Sequence, residues 1–183
     1  IQTELELAGK RTGRISKKSI TIHDAYGRLP LLSTPYSARY AASGALTLID
    51  GLRAHPLSYH SGWLGYSGED AHVMIDLGKI MMIKNVNIGF LYNPVDWIFL
   101  PEEVKIELSQ DGIHFIPAPG MHPVLLTTRQ PAALDYNVVQ INSMAKYIKV
   151  IAKNIGVCPE GHWAAGEKAW LFLDEIMVNK PEE

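Results

Sequence analysis

The sequence predicts an all-β chain folded as an antiparallel sandwich or barrel, and three features predict it. Apolar residues recur with a period of two in segment after segment, turn-forming residues separate those segments, and no stretch carries a sustained, capped apolar helical face. Val73, Ile75 and Leu77 alternate with Met74 and Asp76, and Val86, Ile88 and Phe90 alternate with Asn85, Asn87 and Gly89. Val104, Ile106 and Leu108 alternate with Lys105, Glu107 and Ser109, and Ile148, Val150 and Ala152 alternate with Lys149 and Lys153. Near the C-terminus Trp170, Phe172, Ile176 and Val178 share one parity, which places them on one face. Turns are expected at Asp76–Leu77–Gly78–Lys79, at Tyr92–Asn93–Pro94 and at Gln110–Asp111–Gly112, the last a hairpin signal. The best helical candidate is one short turn at residues 43–49, with Ser43 as its cap.

Composition narrows the function classes. A chain of 183 residues, 47% apolar and 20% charged, is one folded domain with extra terminal sequence rather than a disordered segment. A formal net charge of −2 argues against nucleic acid or an anionic membrane surface as the main partner, since both demand a concentrated basic field. No apolar run reaches the roughly 18–20 residues that span a bilayer, so membrane insertion is not expected. The single cysteine, Cys158, allows no internal disulfide and reads as a small buried thiol. Residues 10–19 concentrate positive charge and carry almost no apolar side chains. Residues 1–19 are therefore expected to be a linker or the end of a preceding domain, 20–179 the folded domain and 180–183 a polar tail. The chain opens without an initiator Met or a signal-peptide core and reads as a piece of something longer.

Motifs for catalysis are absent. There is no GxSxG, HExxH, GxxxxGK[ST] or GxGxxG, and the seven histidines lack metal-ligand spacing. The adjacent pairs Glu69–Asp70 and Glu102–Glu103 point apart in extended chain, and Cys158 with His162 four residues on is not a dyad signature. Three loops carry binding chemistry instead: residues 50–66 with Arg53 and Trp63, residues 91–97 with Tyr92 and Trp97, and residues 154–168 with His162, Trp163 and Lys168. Each sets an indole beside planar or charged polar groups, which suits the apolar C–H faces and hydroxyl rims of sugars. The same tryptophans also serve as core plugs: Trp170 reads as core, Trp63 is balanced between core and surface, and Trp97 and Trp163 are better candidates for exposure.

Several motifs together resemble a discoidin, or coagulation factor V/VIII type C, domain. These are Ala45–Leu46–Thr47–Leu48–Ile49–Asp50–Gly51, Trp63–Leu64–Gly65, Val73–Met74–Ile75–Asp76–Leu77–Gly78, the run from Val104 to Phe115, Ala145–Lys146–Tyr147–Ile148–Lys149–Val150, and Leu171 to Val178. The form with Trp97–Ile98–Phe99 before Pro101, and with Cys158–Pro159 ahead of Ala169–Trp170–Leu171–Phe172, is similar to the version appended to bacterial β-N-acetylhexosaminidases (chitobiases). That resemblance implies an antiparallel β-sandwich jelly roll of the galactose-binding-domain-like class, the fold of family 32 carbohydrate-binding modules. It also implies a structural calcium ion held by Asp50 and Glu175 with carbonyls around Thr47, Leu52 and Asp174, and a Ser ligand supplied by Ser58 or Ser61.

The function so implied is a non-catalytic carbohydrate-binding module of a multidomain, exported glycoside hydrolase. Its ligand would be a terminal galactose- or N-acetylglucosamine-type sugar, contacted by Tyr92, Trp97, His162 and Trp163 with Arg53 and Lys168 as hydroxyl donors. Its partners would be glycan and the catalytic domain of the same parent chain. Two alternatives stand beside it: a structural domain that packs on the parent enzyme through the same loops, and a free-standing glycosidase using carboxylates from separate segments.

Overall fold

The computed structural model describes residues 19–119 and 132–181, preceded by four two-residue strands. Of these, β1 (Gln2–Thr3) pairs with β4 (Ser16–Lys17) and β2 (Glu6–Leu7) with β3 (Lys10–Arg11), all antiparallel. The linker expected over residues 1–19 otherwise lies outside the described residues.

The body is one seven-stranded antiparallel system of β5 (Leu31–Leu32), β6 (Leu64–Ser67), β7 (Ala71–Tyr92), β8 (Glu103–Ser109), β9 (Ile116–Pro117), β10 (Ala132–Lys153) and β11 (Trp170–Val178). Two strands of 22 residues, β7 and β10, organise it. The first half of β7 pairs with β5 and with the second half of β10, which pairs on to β8 and so to β9. The second half of β7 pairs with the first half of β10 and with β11, which pairs on to β6. The chain thus makes a β-sandwich whose two layers share their central strands. Val73, Ile75 and Leu77 of one layer meet Val86, Ile88, Phe90, Leu171 and Leu173 of the other in a single core, together with Ile106, Leu108, Ile148 and Val150. Burying each such side chain contributes about 1.5–3 kcal/mol.

Three local expectations are corrected. Asp76 to Lys79 is not a loop between strands. Asp76 Oδ1 accepts from Gly78 N at 2.7 Å and Gly78 takes φ +81°, so β7 bends and continues, with the register against β10 shifting between Tyr147 and Ala145. The short turn is a 3₁₀ helix, Gly44–Leu48, but Ser43 does not cap it; Ser43 N donates to Thr47 Oγ1 at 2.9 Å. Finally, Trp170 and Phe172 do not share a face with Ile176 and Val178. Leu173 pairs with Phe90 and Ile176 with Ile88, so Asp174 and Glu175 together oppose Gly89 in a bulge that reverses the parity. Leu171, Leu173, Ile176 and Val178 therefore face the core. Phe172 joins Tyr40, Trp63, Leu91 and Ile98 in a second cluster on the outer face, with Trp170 packed against it. The hairpin expected at Asp111–Gly112 is present: Leu108 pairs with Ile116 across it.

Candidate functional site

The loop from β7 to β8 and the loop from β10 to β11 leave the same end of the sandwich. In the first, Asn93 bridges Ile98 and donates through Nδ2 to Asp96 Oδ2 at 2.7 Å, closing a 3₁₀ turn at Pro94–Asp96. Trp97 ends that turn in the left-handed region (φ 65°, ψ 17°), which a bulky side chain adopts only when its surroundings enforce it. The enforcement is visible: Trp97 N donates to Pro94 O at 3.0 Å and Trp97 O accepts from Trp170 N at 2.8 Å. In the second loop Val157 bridges Lys168, and Cys158 N donates to Glu167 O at 2.7 Å, leaving a tip that carries His162 and Trp163. Cys158 is buried beneath it, and burial raises its thiol pKa.

His162 joins the loops. Its Nδ1 accepts from Ala164 N at 3.1 Å, which leaves the proton on Nε2 to be donated to Pro94 O at 2.7 Å. Ring centroids lie 5.4 Å apart for Trp97 and Trp163, 5.6 Å for His162 and Trp163, and 5.5 Å for Phe99 and His162. Tyr92 meets Phe99 edge-on at 6.5 Å. Trp163 is 72% exposed. A large indole left in water on a hydrogen-bonded loop is a ready stacking surface.

A cavity of about 550 Å³ lies beside this end, walled by Asp50, Leu52, Arg53, His55, Ser58, His60 and Ser61 among others. Trp63 is fully buried and donates Nε1 to His55 O at 3.2 Å, so it is a core plug. The His60 ring lies 4.7 Å from Tyr59, and Tyr59 is hydrogen-bonded to Asp96, whose negative charge holds the Tyr59 phenol above its ordinary pKa. That contact ties the cavity loop to the loop bearing Trp97.

The β11 bulge aims two carboxylates out of the core. Glu175 Oε1 accepts from His23 Nε2 at 2.8 Å and Oε2 accepts from Gly51 N at 3.1 Å. Burial raises the Glu175 pKa, and the Asp50 charge adds to the rise against the pull of His23. Asp174 Oδ2 accepts from Arg53 Nε at 2.8 Å and from Ala54 N at 2.9 Å, and its pKa is raised by burial against the pull of Arg53. Arg53 also reaches Asp135 on the other side. Between the two acids lies Gly89, where a Cβ would collide with Asp174 Oδ1 and with the guanidinium.

The structure thus brings Trp97, His162 and Trp163 together, with Tyr92 one ring further. Arg53 stands in the cavity wall, paired with two carboxylates, and the Lys168 stem lies over Gly68 at the base of its loop. The side chains of the expected calcium set are engaged by donors of the chain. Asp50 and Leu52 line the cavity with Ser58 and Ser61, whereas Glu175 and Asp174 are turned to His23 and Arg53. Thr47 Oγ1 is taken by Ser43 N and Asp50 Oδ1 by Leu52 N. Of the Asp174 and Glu175 carboxylate oxygens, Asp174 Oδ1 is buried without a hydrogen-bond partner among the described residues, while the other three accept from donors of the chain. Among the described residues no three His, Cys, Asp or Glu side chains are gathered to hold a metal, and the carboxylates expected to hold calcium accept instead from His23, Gly51, Arg53 and Ala54. Phe99, Tyr59 and His23 were not singled out from sequence. Each acts through a partner on another loop or strand, and spacing carries no sign of that.

No protein-family model matches the chain, and no curated protein matches it in sequence. Solved structures do match in shape. A module named CpGH89CBM32-4, produced by Clostridium perfringens, is 14% identical and superposes with a TM-score of 0.54, covering 87% of this chain and 99% of its own. A fucose-binding module of Streptococcus pneumoniae is 13% identical with a TM-score of 0.56 over 88% and 99%. The lectin domain of lectinolysin, complexed with Lewis B antigen, is 16% identical with a TM-score of 0.53 over 90% and 100%. The shared fold is the galactose-binding-like β-sandwich. At such identities the likeness is one of architecture, and it agrees with the discoidin-type jelly roll. No helix among the described residues is long and apolar enough to cross a membrane.

Proposed function

We propose that this chain is a non-catalytic carbohydrate-binding module that presents Trp97, His162 and Trp163 to glycan. The observation that carries the reading is the meeting of these three rings from two loops at one end of the sandwich, with Trp163 72% exposed. An exposed indole takes the C–H face of a pyranose, and the neighbouring polar cavity offers Ser58, Ser61, His55 and His60 to hydroxyls. The fold shared with a fucose-binding module and a lectin domain supports the class of ligand. Terminal galactose- or N-acetylglucosamine-type sugars are the proposed ligands, and Tyr92 borders the platform. Arg53 lines that cavity beside these groups while bracing its loop, and Lys168 lies at the base of the tip that carries Trp163. The parent protein is proposed to be an exported, chitobiase-type glycoside hydrolase whose catalytic domain lies outside this chain.

A shallow site of this kind is weak on its own, because it immobilises hydroxyls that water already satisfied, and attachment to a polymer supplies avidity. A glycan array probed with the 183-residue chain and its Trp163→Ala variant tests the reading. Binding that is lost in the folded variant supports it. Silence across the array supports the alternative, that the exposed rings pack on the parent enzyme, and hydrolysis of an aryl glycoside would overturn both.

A further inference from the structure

The Asp-Gly loop needs something to hold it against the two β11 carboxylates. The resemblance assigns that task to calcium, yet the donors present belong to the chain. His23, from the segment ahead of β5, sits with its side chain fully buried against Glu175. Its Nδ1 accepts from Val178 N at 3.3 Å, which leaves the proton on Nε2 to be donated to Glu175 Oε1. The other oxygen of Glu175 takes Gly51 N. Gly51 has φ +73°, and a Cβ there would press on Thr21 O at 2.6 Å, so the His23 segment and the loop are moulded to each other. Thr21 N donates to Gly51 O and Gly27 N to Ile49 O, both at 2.9 Å. One step along the bulge, Arg53 pairs with both Asp174 and Asp135 across the bare backbone of Gly89.

We propose that His23 and Arg53 do the work of a divalent ion in this domain, so that the loop walling the 550 Å³ cavity is held in place without calcium. Each oxygen of the fully buried Glu175 carboxylate already has a donor from the chain, so an ion would have to compete with both, and His23 is packed where it cannot leave without unseating the 20–27 segment. The inference does not depend on what the cavity binds.

Thermal melts of the whole chain in chelator and in about 10 mM calcium test it. A calcium site with a Kd of about 100 µM, the tight end for extracellular modules, would be filled about a hundredfold over its Kd and would raise Tm by roughly 5 °C or more. The expected result is coincident melts, with no heat beyond dilution when calcium is titrated calorimetrically. His23→Ala in chelator is expected to lower Tm by about 5 °C or more, or to prevent folding, because it strips a donor from a buried carboxylate. A calcium-dependent rise in the unaltered chain overturns the proposal whatever the variant does. So does a His23→Ala chain that melts where the unaltered chain does.

Discussion

Trp97 and Trp163, on two different loops, hold their ring centroids 5.4 Å apart at an interplanar angle of 57°. Trp163 is the exposed partner and makes little contact with the core, so its removal separates binding from folding. Trp163→Ala is expected to leave Tm within about 2 °C, as for exposed sites generally, and to weaken glycan binding about 30-fold, the scale of a binding hot spot. Calorimetric titration with the best array ligand alongside a melt reads both.

Trp97 allows a sharper separation, because its backbone is left-handed at φ 65°. Glycine adopts that conformation freely and alanine does not. Trp97→Gly is therefore expected to be more stable than Trp97→Ala by about 1 kcal/mol, while both lose glycan binding equally. Urea unfolding of the two variants measures the difference, and the reverse order would mean that the ring, not the turn, sets the backbone.

Gly89 is required by what lies over it. Gly89→Ala drives a methyl group into Asp174 Oδ1 and the Arg53 guanidinium, breaking a clamp whose acid is buried. Removing one partner of such a pair costs about 3–5 kcal/mol, and a comparable loss is expected here by urea melt. Proteolysis should then cut the 50–62 loop first, because its fastening is what fails.

Asp111 organises the β8–β9 turn. His114 Nδ1 pairs with its Oδ2 at 2.7 Å, while Ile113 N and His114 N donate to Oδ1 at 2.8 and 2.9 Å. These bonds, the His114 side chain foremost, hold the Asp111 pKa well below the usual carboxylate range. A folded-state pKa below the unfolded one stabilises at pH above the unfolded value, about 3.9, and that stability is lost as pH falls through the folded one. Carboxyl titration followed by NMR should place the Asp111 midpoint below the unfolded value of about 3.9. Amide exchange in the turn should speed up only at the acid end of the range.

The layers of the sandwich were legible because period-two alternation is a direct record of which side chains face the core. Val73, Ile75 and Leu77, and likewise Val104, Ile106 and Leu108, lie where that period puts them. The record fails where the backbone breaks step. Nothing local in Asp174–Glu175 announces a bulge, since the bulge answers Gly89 and Arg53 on other segments. The end of β7's first half reads as a turn because Asp76 and Gly78 do form one, and only pairing with β10 carries the strand on. At the site, the tryptophans were visible by residue type, but Phe99 and Tyr59 matter through the loops they touch. The two acids that Arg53 pairs with are remote along the chain, so its role in bracing the loop has no local sign.

That β7 and β10 each run through both layers has a mechanical consequence. Neither layer has a set of central strands to itself, so neither can come away and leave the other standing, and unfolding is expected to be a single event. A chain break inside the bends, near residues 78–84 or 140–146, would sever both layers at once. A break in the tip at 159–166 would leave every ladder of the sandwich paired, so a protein nicked there should still hold together under load while losing its exposed indole platform.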